Sequence, residues 1–198
     1  MNPLQEFFEK LAHEWDSSQP EDREAIIHTL LSQFDESLSQ SRRILDVGTG
    51  TGVLIPILSQ RYPHARITSI DFAHQMCCRA AKRTSSASIT QGDVHKLPFA
   101  NQNFDTVICH NSFPHFTHNQ LALINFKRVL ISSGYLLILH DISRERVNEI
   151  HATAQARVIH QDLLPEAKYL SESLINLGFT LQSVEDTDDH YIIYAKLP

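Results

Sequence analysis

The chain has 198 residues, 42% hydrophobic and 20% charged, with 6 glycines and 8 prolines; this is the composition of one ordinary globular domain and excludes the disordered, collagen-like and fibrous classes. A formal net charge of −6 repels polyanions, so nucleic acid is not an expected partner. The cysteines Cys77, Cys78 and Cys109 cannot make a disulfide framework, no stretch approaches the roughly 18 apolar residues of a membrane span, and the acidic amphipathic start is unlike a signal peptide, so a cytoplasmic protein with no membrane partner is expected.

Leu4, Phe7, Phe8, Leu11, Ala12 and Trp15 fall near helical spacing and predict a helix over 3–15 with one apolar face. After the break Asp16–Pro20, a second helical pattern runs through Ile26, Ile27, Leu30, Leu31 and Phe34 to about Leu38. Residues 1–40 are expected to form a helical lid on a core over 41–198. The segment Arg43–Val47 predicts a strand, Gly48–Gly52 a turn and the residues from Val53 a helix. The alternation continues with strands at Arg66–Ile70, Ser88–Gln91, Phe104–Cys109 and Tyr135–His140, separated by helices at His74–Arg83 and Gln120–Leu130. Such alternation implies right-handed crossovers and a mostly parallel α/β sheet with helices on both faces. Helices near Ser143–Gln155 and Glu166–Leu177 follow, and Phe179–Val184 and Tyr191–Leu197 flank the acidic turn Asp186–Asp189, which predicts an antiparallel hairpin on the sheet edge.

Gly48-Thr49-Gly50-Thr51-Gly52 places glycines where the chain turns sharply and where a ligand meets main chain without a Cβ between. A nicotinamide fingerprint would need glycine at 53, where Val53 stands, so a dinucleotide oxidoreductase is disfavoured. Asp46 precedes the loop, Asp71 ends the second strand and Asp93 follows the third. Three carboxylates at successive strand ends suit a ligand that brings positive charge and ribose hydroxyls to the crevice at the carboxyl edge of the sheet. Helix capping by Asp46 and a turn at Asp93 are the simpler alternatives.

At these residues the chain resembles the class I S-adenosylmethionine-dependent methyltransferases, in the small-molecule branch called methyltransferase type 11. The resemblance covers roughly residues 43–141 and rests on the glycine loop, Asp71, the Gly92-Asp93 pair before Leu97-Pro98-Phe99, and Phe104-Asp105 opening a strand. It implies a Rossmann-like three-layer sandwich with a seven-stranded sheet, the hairpin supplying strands six and seven. It also implies S-adenosyl-L-methionine as cofactor. Asp46, Gly48, Thr49, Gly50 and Gly52 would hold the methionine part, Asp71 and Phe72 the ribose side, Asp93 and Val94 the adenine, with His110 beside them.

For the acceptor, Cys109-His110-Asn111-Ser112-Phe113-Pro114-His115-Phe116 lacks the Asn-Pro-Pro-Tyr type of sequence that the family uses on DNA bases or protein glutamine. A small-molecule methyl acceptor is therefore expected, with Phe113 and Phe116, and also Phe7, Phe8 and Trp15, available to wall its pocket; core packing explains the last three equally well. Of 12 histidines, His110, His115 and His140 are the catalytic candidates, with His115 or His140 as general base. A divalent metal on some of His110, His115, His140, Asp141 and His151 is the competing reading. Their spacing matches no metal-binding helix signature, and hydrogen-bonded wall residues are simpler, so no metal is assigned. Arg144 and Arg146 lie on a charged segment whose default is a solvated helix face. Cys77, Cys78 and Cys109 read as packing residues. The expected protein is a monomeric or homodimeric methyltransferase; a non-catalytic protein that senses S-adenosylmethionine or binds a metal is the alternative.

Overall fold

The computed structural model describes residues 2–84 and 87–198. Helix α1 (Pro3–Leu11) opens with Asn2 accepting the Gln5 amide at 2.7 Å and Pro3 in the first turn, the arrangement that leaves fewest orphan amide donors at a helix start. The second helical segment divides at Gln33-Phe34 into α2 (Arg23–Ser32) and α3 (Asp35–Leu38). Then come β1 (Arg43–Val47), α4 (Leu54–Arg61), β2 (Arg66–Asp71), α5 (His74–Arg83), β3 (Ala87–Gln91), β4 (Phe104–His110), α6 (Asn119–Val129), β5 (Leu130–His140), α7 (Arg144–Thr153), α8 (Ala167–Asn176), β6 (Thr180–Asp186) and β7 (Tyr191–Lys196).

The seven strands form one sheet in the order β3-β2-β1-β4-β5-β7-β6. All neighbours pair in parallel except β7, which runs antiparallel between β5 and β6. The C-terminal hairpin thus inserts its second strand next to β5 and leaves its first at the edge. Strand β5 begins five residues earlier than the apolar run Tyr135–His140 indicates. Leu130 pairs with Phe104 before a bulge, with Ser133 at φ +66°, moves the register to Tyr135 against Thr106.

Side-chain alternation divides the core between the two sheet faces. Leu45, Val107, Cys109, Leu136, Ile138 and Ile193 join Leu123 and Phe126 of α6 and Leu170 and Leu174 of α8. Ile44, Ile108, Leu137, Leu139 and Ile192 join Ile27 and Leu31 of α2, Leu38 of α3 and Leu54 and Leu58 of α4. Each such buried aliphatic side chain is worth about 1.5–3 kcal/mol of transfer free energy.

The segment expected as a lid therefore divides. Only α1, through Leu4, Phe8 and Ala12, packs away from the sheet, on Ala73, Met76 and Ile159. The second half, α2 and α3, is a layer of the core, and Arg23 of α2 ties it to the end of β5 by a buried 3.0 Å ion pair with Asp141.

Candidate functional site

Between β1 and β4 the order of the strands reverses, and the crevice at their carboxyl ends is the position at which parallel α/β sheets bind ligands. A cavity of about 400 Å³ lies there, walled by Gly48 and Gly50 after β1, Asp71 and Phe72 at the end of β2, Gln91, Asp93 and Val94 after β3, and Asn111, Ser112 and His115 after β4. Leu4, Gln5 and Phe8 of α1 cover it.

The glycine loop is shaped by two close approaches. Gly48, at φ +71°, has no room for a side chain, since a Cβ would stand 2.4 Å from Ser112. Gly50, at φ +56°, would direct a Cβ into open space, and since Gly50 lines the cavity, that space is where a ligand can lie on the bare backbone. Gly52, expected at the ligand, serves packing: a Cβ would meet Ala80 of α5 at 2.9 Å, and the residue is outside the cavity wall.

Asp71 holds the loop in place. Its two carboxylate oxygens accept the Gly50 and Ala73 amides, each at 2.9 Å. Burial pushes its pKa up to about 6 against those two bonds. A carboxylate has lone pairs to spare after two bonds, so ribose hydroxyls remain within its capacity. Asp93 accepts both the amide and Nδ1 of His95, at 2.9 and 2.6 Å. The His118 amide in turn donates to His95 Nε2 at 3.2 Å. His95 thereby fixes the cavity wall between β3 and α6.

Asp46 departs from expectation. It lies within β1 opposite Ser69 of β2, whose hydroxyl donates to it at 3.2 Å, and strand parity turns it to the sheet face carrying Ile44. It is only 1% exposed and outside the cavity wall. Burial raises its pKa to about 6, with Thr49 and Ser69 opposing. Thr49 likewise stays outside the wall, its buried hydroxyl beside Asp46.

A second cavity, about 540 Å³, adjoins the first. The two share Phe8, Trp15, Asn111 and His115 as walls. Phe7, Leu11, Ile26, Ile142, Val147 and Ile150 make the second chamber largely apolar, with His140, His151 and Asp141 on its polar side. Phe116 lines the first cavity, whereas Phe113 is wholly buried and lines neither.

The three catalytic candidates separate here. His110 lines neither cavity; its Nε2 donates to Asp141 at 3.1 Å. Arg23 and the Asn111 amide donate to the same carboxylate. Burial opposes ionisation of Asp141, yet His110, Arg23 and Asn111 outweigh it and hold its carboxyl far below the usual range. His140 reaches the second cavity, but burial, reinforced by His110, lowers its pKa to about 3. An imidazole so acidic in its protonated form is a poor base. Its Nε2 is buried without a partner, a polar atom that a ligand or water can satisfy. His115 alone faces both cavities. Among the described residues no group of three His, Cys, Asp or Glu side chains converges as metal ligands would.

Of the remaining singled-out residues, Arg144 is engaged by Asp186 at 2.9 Å and by Glu145, while Arg146 lines the second cavity and bonds Glu149 at 2.5 Å. Cys77 and Cys109 are buried, their thiols pushed up by burial to about 12.

A methyltransferase domain model matches residues 45–138, the span from β1 to the end of the cavity-bearing half of the sheet. Those residues belong to the methyltransferase domain family. S-adenosylmethionine is the cofactor that goes with this domain. The chain is 35% identical over 97 residues to a demethylmenaquinone methyltransferase of Thermotoga maritima, covering 49% of this chain and 42% of that protein. It is also 35% identical over 112 residues to a malonyl-[acyl-carrier protein] O-methyltransferase of Geobacter sulfurreducens, covering 55% and 42%. It therefore spans less than half the length of these two relatives. Among solved structures, a putative methyltransferase bound to the Trm112 activator of Haloferax volcanii superposes with a TM-score of 0.75 at 17% identity, over 96% of this chain and 97% of that one. The plantazolicin methyltransferase BpumL gives 0.71 at 14% identity, over 98% and 97%. At such identities the structural likeness speaks to the fold.

The methyltransferase domain fits its cofactor on the geometry of the first cavity: the bare backbone at Gly50 and the carboxylates of Asp71 and Asp93 ring a space roofed by α1. Gln5, Met76, Gln91 and His95, which belong to none of the motifs above, also stand on that wall. Gln5 carried no signal, because only the fold brings α1 over the crevice; Gln91 and His95 lay beside the Gly92-Asp93 motif and were within reach of it.

Proposed function

We propose that this chain transfers the methyl group of S-adenosylmethionine to a small, largely apolar acceptor held in the second cavity. The observation that carries the reading is the wall the two cavities share, at Asn111 and His115: a cofactor chamber with a glycine and carboxylate cradle opens beside an apolar chamber with histidines at the junction. When bound, the cofactor supplies an electrophilic methyl carbon on a positively charged sulfur. Residues of the chain orient the two partners and exclude water, which is most of what such a displacement needs. Gly48 and Gly50 cradle the methionine side, Asp71 the ribose, and Asp93 and Val94 the adenine. Phe8 and Trp15 close the junction, and His115 meets the acceptor; His140 and His151 line its pocket as neutral rings.

The relatives' names include acceptors as different as demethylmenaquinone and malonyl-[acyl-carrier protein], and the apolar walls here favour the less polar kind. The reading keeps nucleic acid and membranes outside the reaction and takes the protein as a cytoplasmic monomer or homodimer. No described helix is long and apolar enough to cross a membrane. Calorimetry with S-adenosylhomocysteine, followed by transfer from methyl-labelled cofactor to fractionated small-molecule extract, tests the proposal. Binding with label appearing in an organic-extractable product is expected. Absence of binding refutes the cofactor site, and binding without any transfer converts the protein into a sensor.

A further inference from the structure

His115 stands in the short turn Phe113–His115 that follows β4 and faces both cavities. Its Nδ1 lies 2.7 Å from Asp162 Oδ2, and the two side chains are shielded, at 13% and 15% exposure. A carboxylate only accepts, so Nδ1 is the nitrogen that carries the proton, and Nε2 on the far edge of the ring presents a lone pair. Phe8 and His151 pack on the ring, each with centroids 4.8 Å away. The main-chain carbonyl of Asp162 also accepts from His151 Nδ1. One residue, 47 positions beyond His115 in the chain, therefore orients two imidazoles at the cavity junction, and only His115 receives the carboxylate.

We propose, resting on the methyl-transfer reading above, that Asp162 is a positioning residue that holds His115 as the base for an apolar acceptor bearing a weakly acidic hydroxyl. The acceptor's hydroxyl proton passes to His115 Nε2 while its oxygen lone pair forms the bond to the methyl carbon. The carbon–sulfur bond breaks with its electron pair left on sulfur. The positive charge that leaves the sulfur reappears on the His115 imidazolium, where the Asp162 carboxylate, already hydrogen-bonded to Nδ1, stabilises it. His140 is too poor a base for this step, and His151 has only a carbonyl behind it. An acceptor without a removable proton, such as a tertiary amine, would have no use for the pair. The surrounding walls, Phe7, Leu11, Ile26, Val147 and Ile150, select the hydrocarbon part of the acceptor by burial.

Ring-nitrogen NMR of histidine-labelled protein reads the arrangement directly. In the wild type His115 is expected as the Nδ1–H tautomer; the Nε2–H tautomer overturns the proposal without any variant. Asp162→Ala is expected to release His115 to a mixture of tautomers, and Asp162→Asn, whose amide oxygen still accepts, to restore part of the Nδ1–H form. An unchanged tautomer in folded Asp162→Ala also overturns it. For the acceptor class, 2-naphthol is added to protein saturated with S-adenosylhomocysteine, with 2-methoxynaphthalene as the probe lacking a donor. The naphthol is expected to bind about tenfold more tightly, the worth of one hydrogen bond, and to move the His115 Nε2 resonance. Equal affinities, no naphthol binding, or binding that leaves Nε2 unmoved reject a hydroxyl acceptor at this base. Loss of S-adenosylhomocysteine binding in the wild type would instead refute the methyl-transfer reading, while the tautomer still reports on Asp162.

Discussion

Asp46 illustrates how one side chain sets both a stability and a misreading. Its carboxyl is enclosed between β1 and β2 with the Ser69 hydroxyl as partner, and burial raises its pKa from 3.8 to about 6. A raised carboxyl pKa means that the folded state binds more protons than the unfolded chain between these values. The associated stability is fully present below about pH 4 and is lost as pH rises through about 6. The buried Asp71 adds a parallel loss over the same window. Asp46→Asn, which stays neutral, is therefore expected to match wild type at pH 4 and to be the more stable protein at pH 7.5, by about 3 kcal/mol at roughly 1.4 kcal/mol per pKa unit. Urea unfolding at a series of pH values checks this. A variant less stable than wild type at pH 7.5 would show that the ionised form is compensated inside the sheet. Asp46 also marks the limit of motif reading: its neighbourhood to the glycine loop suggests a place at the ligand, whereas strand alternation turns it to the sheet face that carries Ile44.

At the scale of elements, α1 is fastened to the site rather than laid loosely over it. Ala73 precedes α5 without a side-chain cap, and the donors so exposed are taken by Glu9 of α1, whose two oxygens accept the His74 and Gln75 amides at 2.6 and 2.7 Å. Gln5 donates to the Phe72 carbonyl at 2.8 Å, and Asp16 beyond the helix accepts from Thr51 at 2.5 Å and pairs with Arg83 at 2.8 Å. A carboxylate on the first turn of a helix satisfies orphan amides and meets the positive end of the dipole. Glu9→Ala is expected to cost about 1 kcal/mol at that helix start and to loosen α1 while leaving the sheet intact. Hydrogen exchange should accelerate by about fivefold in α1 and the first turn of α5, with β1, β4 and β5 unchanged. Dissociation of S-adenosylhomocysteine should quicken by a similar factor, since α1 roofs its cavity. Uniform acceleration across the molecule would instead make α1 part of the global folding unit. The second helical segment behaves differently: Ile27, Leu31 and Leu38 are buried against the sheet, so opening it would dismantle the core.

Over the whole molecule, the parts legible in sequence are those set by local pattern. Alternating apolar strands and amphipathic helices, the glycine loop and the hairpin around Asp186–Asp189 each declare themselves within a dozen residues, and the observed sheet follows them. What needed the fold are contacts between distant segments: Asp162 with His115, Arg23 with Asp141, and Glu9 with the start of α5. No periodicity links residues 47 or 118 positions apart, and the role of a histidine is decided by its partners. These long-range ties also predict how a ligand acts on the molecule. The first cavity is walled by α1 and by the loops after β1, β2, β3 and β4, so a bound nucleoside bridges segments spread over the first 117 residues of the chain. Binding to the folded state alone stabilises it by about 2.7 kcal/mol at a hundred times the dissociation constant, which for a chain of this size raises the melting temperature by about 5–10 °C. S-adenosylhomocysteine is expected to produce that rise in a single cooperative transition. NAD is expected to produce none, because with its adenosine at Asp71 and Asp93 its pyrophosphate would fall on the glycine loop, where Val53 stands in place of the third glycine of the dinucleotide fingerprint. Differential scanning calorimetry with each ligand decides between them: a rise with NAD equal to that with S-adenosylhomocysteine would mean that the cavity recognises only the adenosine they share, and that the glycine loop does not select against a pyrophosphate.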